Sequence, residues 1–128
     1  MDELFSPADR AALKRGTDPW EVRGFYDLQR RYPAIHPFGL AQAAPVLALI
    51  RERSDRKLGA LCHGALREAR FRRLLQSRDR DDLAHQLAAV VRILRGHCNP
   101  DEIVNTIAYW GDKTRRDLAQ DYYGSGED

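Results

Sequence analysis

The sequence predicts an all-α protein, a compact helical bundle of about six to eight helices that forms a single domain over residues 1–128. Composition is the first reason, because Ala, Leu and Arg supply 49 residues while Val, Ile and Thr supply only 13. Repeated helix-start signals are the second reason. Length is the third, since 128 residues suffice for one hydrophobic core and are few for two domains.

Three helix starts share one local pattern. A side chain that accepts hydrogen bonds stands at the N-cap, proline follows at the first helical position, and an acid stands at the third. These starts are Ser6-Pro7-Ala8-Asp9, Asp18-Pro19-Trp20-Glu21 and Asn99-Pro100-Asp101-Glu102. Gly16, Gly96 and Gly124 stand where left-handed C-caps would end three helices.

Hydrophobic periodicity completes the assignment of elements along the chain. The predicted helices cover residues 7–15, 19–31, 41–53, 58–65, 67–77, 81–95, 100–109 and 112–123. Residues 33–39 are predicted to form a loop, and Pro45 must lie in the first turn of its helix or kink it. Helix 81–95 places Leu83 and Leu87 on one face with other apolar residues, so we expect it at the centre of the core.

The most basic stretch of the chain is residues 65–83, where six arginines surround a short apolar stripe. At about 100° per residue, Arg70 and Arg73 lie on one flank of that stripe and Arg72 projects from the other. Arginine binds phosphate through a planar fork, so such a row can hold a nucleic-acid backbone without reading its bases. The same row is also typical of a solvated helix surface that pairs with nearby acids.

Smaller basic clusters offer further candidate contacts. Lys14 and Arg15 end the first helix, where cations also favour the helix dipole. Another cluster comprises Arg51, Arg53, Arg56 and Lys57. On the last helix, Lys113 and Arg116 are expected to point away from the core. Aromatic residues near that helix are compatible with base stacking or with core packing: Tyr109, Trp110, Tyr122 and Tyr123.

Charge and motif content narrow the function classes. The net charge is only +2, yet residues 51–95 carry a local excess of six positive charges, which directs a phosphate backbone to one surface. No catalytic motif, phosphate-binding glycine loop or spaced zinc pairs occur, so we expect no enzyme activity, cofactor or metal site. Because no leader or long apolar run occurs, we expect a cytoplasmic protein without a membrane partner.

The order of short motifs along nearly the whole chain resembles the CasB family, the small subunit of the type I-E CRISPR surveillance complex, Cascade. The resemblance is carried by the following motifs, in order: Lys14-Arg15, Gly24-Phe25-Tyr26, Leu58-Gly59-Ala60-Leu61, Arg70-Phe71-Arg72-Arg73-Leu74-Leu75, Arg78-Asp79-Arg80-Asp81-Asp82-Leu83 and Tyr109-Trp110-Gly111 ahead of Lys113 and Arg116. The chain is short for the family, and Asp112 stands where a basic residue is often found.

This resemblance implies a non-catalytic, all-helical subunit that helps to hold the RNA and DNA strands of an R-loop through basic residues. It implies as partners a CRISPR RNA, the target and non-target DNA, the Cascade backbone and large subunits, and a second copy of itself. The matching positions are Arg15, Arg70, Arg80 and Lys113. Helical geometry adds Arg73 and Arg116, and Lys14 and Arg51 complete the candidate nucleic-acid-binding residues.

Two other functions remain open from the sequence. A helix-turn-helix regulator would use helix 67–77 for duplex DNA, although the chain has no obvious recognition helix with Asn or Gln for adenine. A purely structural assembly protein would pair its arginines with acids on partner proteins. These alternatives differ from the leading prediction in sequence preference and in the salt dependence of binding.

Overall fold

A computed structural model, which describes residues 4–125, confirms the all-α class. Eight α-helices and one 3₁₀ turn, Pro19–Glu21, occur among these residues. The helices are α1 (Pro7–Lys14), α2 (Arg23–Arg31), α3 (Pro37–Leu47), α4 (Leu58–Ala65), α5 (Glu68–Leu75), α6 (Arg80–Ile93), α7 (Pro100–Ala108) and α8 (Asp112–Gly124). The ends of the predicted domain, residues 1–3 and 126–128, lie outside the described residues.

The predicted helix over residues 19–31 is wrong, because the segment is divided. Asp18 caps only the 3₁₀ turn, and Val22 then adopts an extended backbone with φ −106° and ψ 122°. This break buries the Val22 side chain in the core. The chain restarts as α2 directly afterwards, and Gly24 donates its backbone N–H to Asp9 Oδ2 of α1 at 3.1 Å.

The predicted bounds of the third helix also need correction. Helix α3 begins at Pro37, inside the predicted loop, because His36 Nδ1 accepts the backbone N–H of Phe38 at 3.2 Å. Pro45 consequently lies in the helix interior rather than in its first turn. The helix ends at Leu47, and the chain then runs beside residue 97, where Glu52 and His97 form an isolated parallel bridge.

One of the three predicted glycine caps, Gly16, is confirmed as the left-handed residue that ends its helix. Gly16 follows the C-cap of α1 with φ 90°, in the left-handed region that favours glycine. Helix α6 instead ends at a left-handed Arg95 with φ 58°, and Gly96, with φ 76°, comes after it. A Cβ atom at residue 96 would also stand 2.7 Å from the carbonyl oxygen of Leu49. Gly124, in contrast, is the last residue of α8 and does not end it as a left-handed cap.

A single cluster of buried side chains forms the core of the described residues. Helix α3 packs against α1, α2, α6 and α7, so it shares the central position that was predicted for helix 81–95. Leu83, Leu87 and the two valines of α6 are buried on the predicted face. Helix α5 is in contact with α6, and α8 packs closely against α4.

Gly59 sets the separation between α4 and α8. A Cβ atom at this position would lie 2.5 Å from the Asp121 Cβ and 2.6 Å from the Leu118 carbonyl oxygen. We therefore expect Gly59→Ala to lower the free energy of unfolding by about 1–3 kcal/mol, since the two helices must move apart. Urea denaturation measures this change. The matched control is Gly64→Ala in the same helix, which meets nothing within 4 Å. Equal stability of the two variants would contradict this packing role.

Candidate nucleic-acid interface

Helix α5 presents the arginine row because its apolar side is fixed in the core. Phe71 is fully buried and stacks on Tyr122 of α8, with ring centroids 3.8 Å apart and planes 7° apart. Leu74 is buried one turn later. Arg70 and Arg73 are consequently directed to a groove of about 250 Å³ between α5 and α6.

Arg70 and Arg73 keep their guanidinium groups available for a ligand. Neither lies within 4.0 Å of a carboxylate oxygen in residues 4–125. Arg72 on the other flank differs, because its Nη2 lies 3.0 Å from Glu68 Oε1 and a hydrogen bond with Tyr123 raises its pKa. The predicted division of the row between two flanks therefore coincides with a division between unpaired and paired arginines.

A second and larger groove lies on the other side of α6. It has a volume of about 780 Å³ and runs between α6, α3 and the end of α1. Lys14 and Arg92 line it, and His85 lines both grooves. We name Lys14, Arg70, Arg73, His85 and Arg92 the α6 basic face. Acidic residues Asp81 and Asp82 stand at its edge, near the start of α6.

The α6 basic face includes two residues that the sequence did not predict as nucleic-acid contacts. Arg92 and His85 lie on the solvent side of a helix whose apolar side was recognised from periodicity. Their position opposite the buried leucines was a signal for exposure, but not for proximity to Lys14. That proximity depends on the packing of α1 and α6 around α3.

Arg15 and Arg51 are exposed near α1. Arg15 is the C-cap of α1 and follows Lys14 directly. Arg51 follows Ile50, whose carbonyl oxygen accepts a hydrogen bond from Arg10 Nη1 of α1 at 2.8 Å. The structure thus places the predicted residues Lys14, Arg15 and Arg51 around the same helix.

Arg80 and Lys113 each have a hydrogen-bond partner within the protein. Arg80 Nη2 donates to the Ala108 carbonyl oxygen at 3.0 Å and satisfies the end of α7. Lys113 Nζ lies 2.8 Å from Asp117 Oδ2, and this hydrogen bond raises the pKa of Lys113. Lys113 lines a separate groove between α7 and α8 that also contains Glu102, Asp117 and Asp121. Arg116 is exposed on α8.

The aromatic residues near α8 are mostly occupied by contacts inside the protein. Tyr122 is buried, and Trp110 has the Arg115 guanidinium over its ring at 4.9 Å. Trp110 Nε1 and Arg115 Nη2 both donate to the Ser77 carbonyl oxygen, which joins the end of α5 to the start of α8. Tyr109 remains 57 % exposed.

Neither cysteine forms part of a recognisable metal centre. Cys62 and Cys98 are buried as free thiols, and burial raises the pKa of each to about 12. Within residues 4–125, no three His, Cys, Asp or Glu side chains group closely enough to hold a metal ion. The helices of that part of the chain are also too short or too polar to cross a membrane.

Comparison with known proteins gives two findings and one negative result. The family model for CRISPR-associated protein Cse2 matches residues 9–123. The fold is similar to that of a chain in the crystal structure of E. coli Cascade bound to a PAM-containing double-stranded DNA target, with a TM-score of 0.70 and 20% sequence identity. This similarity covers 94% of the present chain and 88% of the other. No curated protein sequence shows significant similarity.

Proposed function

Because the chain belongs to the Cse2 (CasB) family of CRISPR-associated proteins, we propose that it is the non-catalytic small subunit of a type I-E Cascade complex. Its α6 basic face holds the sugar-phosphate backbone of a nucleic acid. The observation that carries the backbone-binding role is that two guanidinium groups without a carboxylate partner in residues 4–125, those of Arg70 and Arg73, lie beside the groove between α5 and α6. Lys14 and Arg92 extend the positive surface across α6.

The chemistry of the face suits an RNA-guided complex in the cytoplasm. In such complexes the guide RNA reads the target by base pairing, so a protein subunit needs only to stabilise the strands through their backbone. Arginine and lysine side chains supply this stabilisation for the guide–target hybrid and for the displaced DNA strand. The remaining partners of the proposal are the Cascade backbone and large subunits and a second copy of this chain.

Salt dependence of binding tests the proposed backbone contacts. We expect the full chain to bind single-stranded DNA with an affinity that falls steeply as salt rises. Four backbone contacts predict a slope of about −3 in a plot of log K against log salt, at ~0.7 for each contact on a single strand. Fluorescence anisotropy over a salt series measures this slope.

Two results would contradict the proposed function. An affinity that is almost independent of salt would favour a purely structural assembly role. A footprint on one particular duplex sequence would favour the helix-turn-helix regulator. Co-purification with CRISPR RNA and larger Cascade subunits tests assembly independently of the isolated chain.

A further inference from the structure

The groove between α3, α6 and α1 is lined in part by an exposed aromatic side chain. Phe38 in the first turn of α3 lines this groove and is 65% exposed, the largest value among the bulky hydrophobic residues described. Its neighbours in the groove include small or apolar residues from α3 and α6, among them Pro45 and Ala88. The groove volume of about 780 Å³ lies within the ~300–1,000 Å³ range typical of small-ligand sites.

Phe38 is held in place although it is exposed. His36 stacks on its ring with centroids 5.2 Å apart and planes 16° apart, and Trp20 contacts it edge-on at 5.6 Å. Trp20 in turn packs edge-on against the buried Phe25 at 5.0 Å. The ring is therefore attached to the core through a chain of aromatic contacts. An aromatic surface that is already ordered loses little conformational entropy when a ligand stacks on it.

Cationic groups line the same groove as this ring. Lys14 and Arg92 supply two permanent positive charges. Asp81, the one carboxylate among the described residues that line the groove, accepts a hydrogen bond from Gln42 Nε2 at 2.9 Å. An exposed aromatic ring and two cations along one groove match a single strand, in which phosphates join successive planar bases.

From these observations we infer that the groove is a binding site for unpaired nucleotides of a single strand: one base stacks on Phe38, and phosphates further along the same strand contact Lys14 and Arg92. The inference rests on the proposed function and adds a subsite to it. The α6 basic face would then hold the backbone of a single strand and also select strands whose bases are unpaired. Stacking accepts any base, so the site requires no sequence preference.

The test compares two probes that share a backbone and differ in their bases. Fluorescence anisotropy of the full chain is measured with an oligothymidylate of about 12 nucleotides, within the ~4–16 nucleotide range of single-strand sites, and with a fully abasic strand of equal length. We expect the wild type to bind oligothymidylate roughly 5- to 100-fold more tightly, corresponding to ~1–3 kcal/mol of stacking. Phe38→Ala should abolish this preference and leave the affinity for the abasic strand unchanged.

Three further variants make the result specific to the aromatic face. Phe38→Tyr should keep the preference, and Phe38→Leu should lose it while preserving a large apolar side chain. Tyr109→Ala removes an exposed aromatic residue outside the groove and should change neither affinity. Because Phe38 is exposed, thermal unfolding of its variants should remain close to that of the wild type.

The possible results separate this inference from the proposed function. Salt-dependent binding of both strands with equal affinity overturns the nucleotide site and leaves the backbone contacts intact. Equal weakening of both strands by Phe38→Ala also overturns it, since Phe38 would then act only on the protein structure. Absence of binding to either strand contradicts both the nucleotide site and the proposed backbone contacts.

Discussion

Replacing Phe71 by alanine is expected to lower the free energy of unfolding by about 3–5 kcal/mol, the usual cost of removing a buried aromatic ring. The ring is fully buried and stacks on Tyr122, whose hydroxyl donates to the Leu66 carbonyl oxygen at 2.9 Å. The cavity left by the alanine substitution would therefore weaken the packing of α5 against α8 and against the turn that precedes α5. Urea denaturation followed by circular dichroism measures the loss.

Two milder substitutions separate the contributions at this site. Phe71→Leu keeps an apolar side chain and should cost less than the alanine variant. Tyr122→Phe keeps the stacked rings and removes only one hydrogen bond, for which we expect about 1 kcal/mol. A loss below about 1 kcal/mol in Phe71→Ala would contradict the anchoring role, since buried Phe→Ala changes typically cost ~3 kcal/mol or more.

The sequence was sufficient for features that depend on local periodicity. The apolar stripe of α5 places Phe71 and Leu74 in the core, and the same helical geometry separates Arg70 and Arg73 from Arg72. Proline-based starts at α1 and α7 are confirmed because the capping side chains lie only a few residues from the amides that they satisfy.

Features that depend on less common caps or on tertiary packing were not predicted. His36 is an unusual N-cap, so the true start of α3 at Pro37 was missed. Val22 leaves the helical conformation because its side chain enters the core, a preference that no local pattern indicates. The proximity of Lys14 and Arg92 follows from helix packing alone.

The pairing of one candidate residue could be predicted from its position in the sequence. Lys113 and Asp117 stand four residues apart on one helix, a separation at which opposite charges pair. The partner of Arg80, in contrast, is the carbonyl of Ala108 in another helix. A resemblance to family positions identified these basic residues, and the contacts inside the fold show which of them have a partner within the protein.

Reversing the charge of the available pair, Arg70→Glu with Arg73→Glu, is expected to weaken binding of single-stranded DNA by about 100-fold at low salt. This value takes roughly 1.4 kcal/mol for each of two phosphate contacts. The slope of log K against log salt should also become less steep by about 1.4, because two counterion-releasing contacts are lost. Both side chains are exposed, so the free energy of unfolding should change little.

The matched control is Arg30→Glu with Arg31→Glu at the end of α2, which makes the same change in net charge. Both control residues are exposed, and the carboxylate paired with Arg30 is that of the exposed Asp27, so the control should also remain folded. Affinity for the strand should fall far less in the control, because net charge acts at long range and is screened by salt. If both double variants lose affinity equally, bulk charge explains the binding and the α6 basic face is not the interface. If only the α5 variant changes the salt slope, the phosphate contacts belong to Arg70 and Arg73.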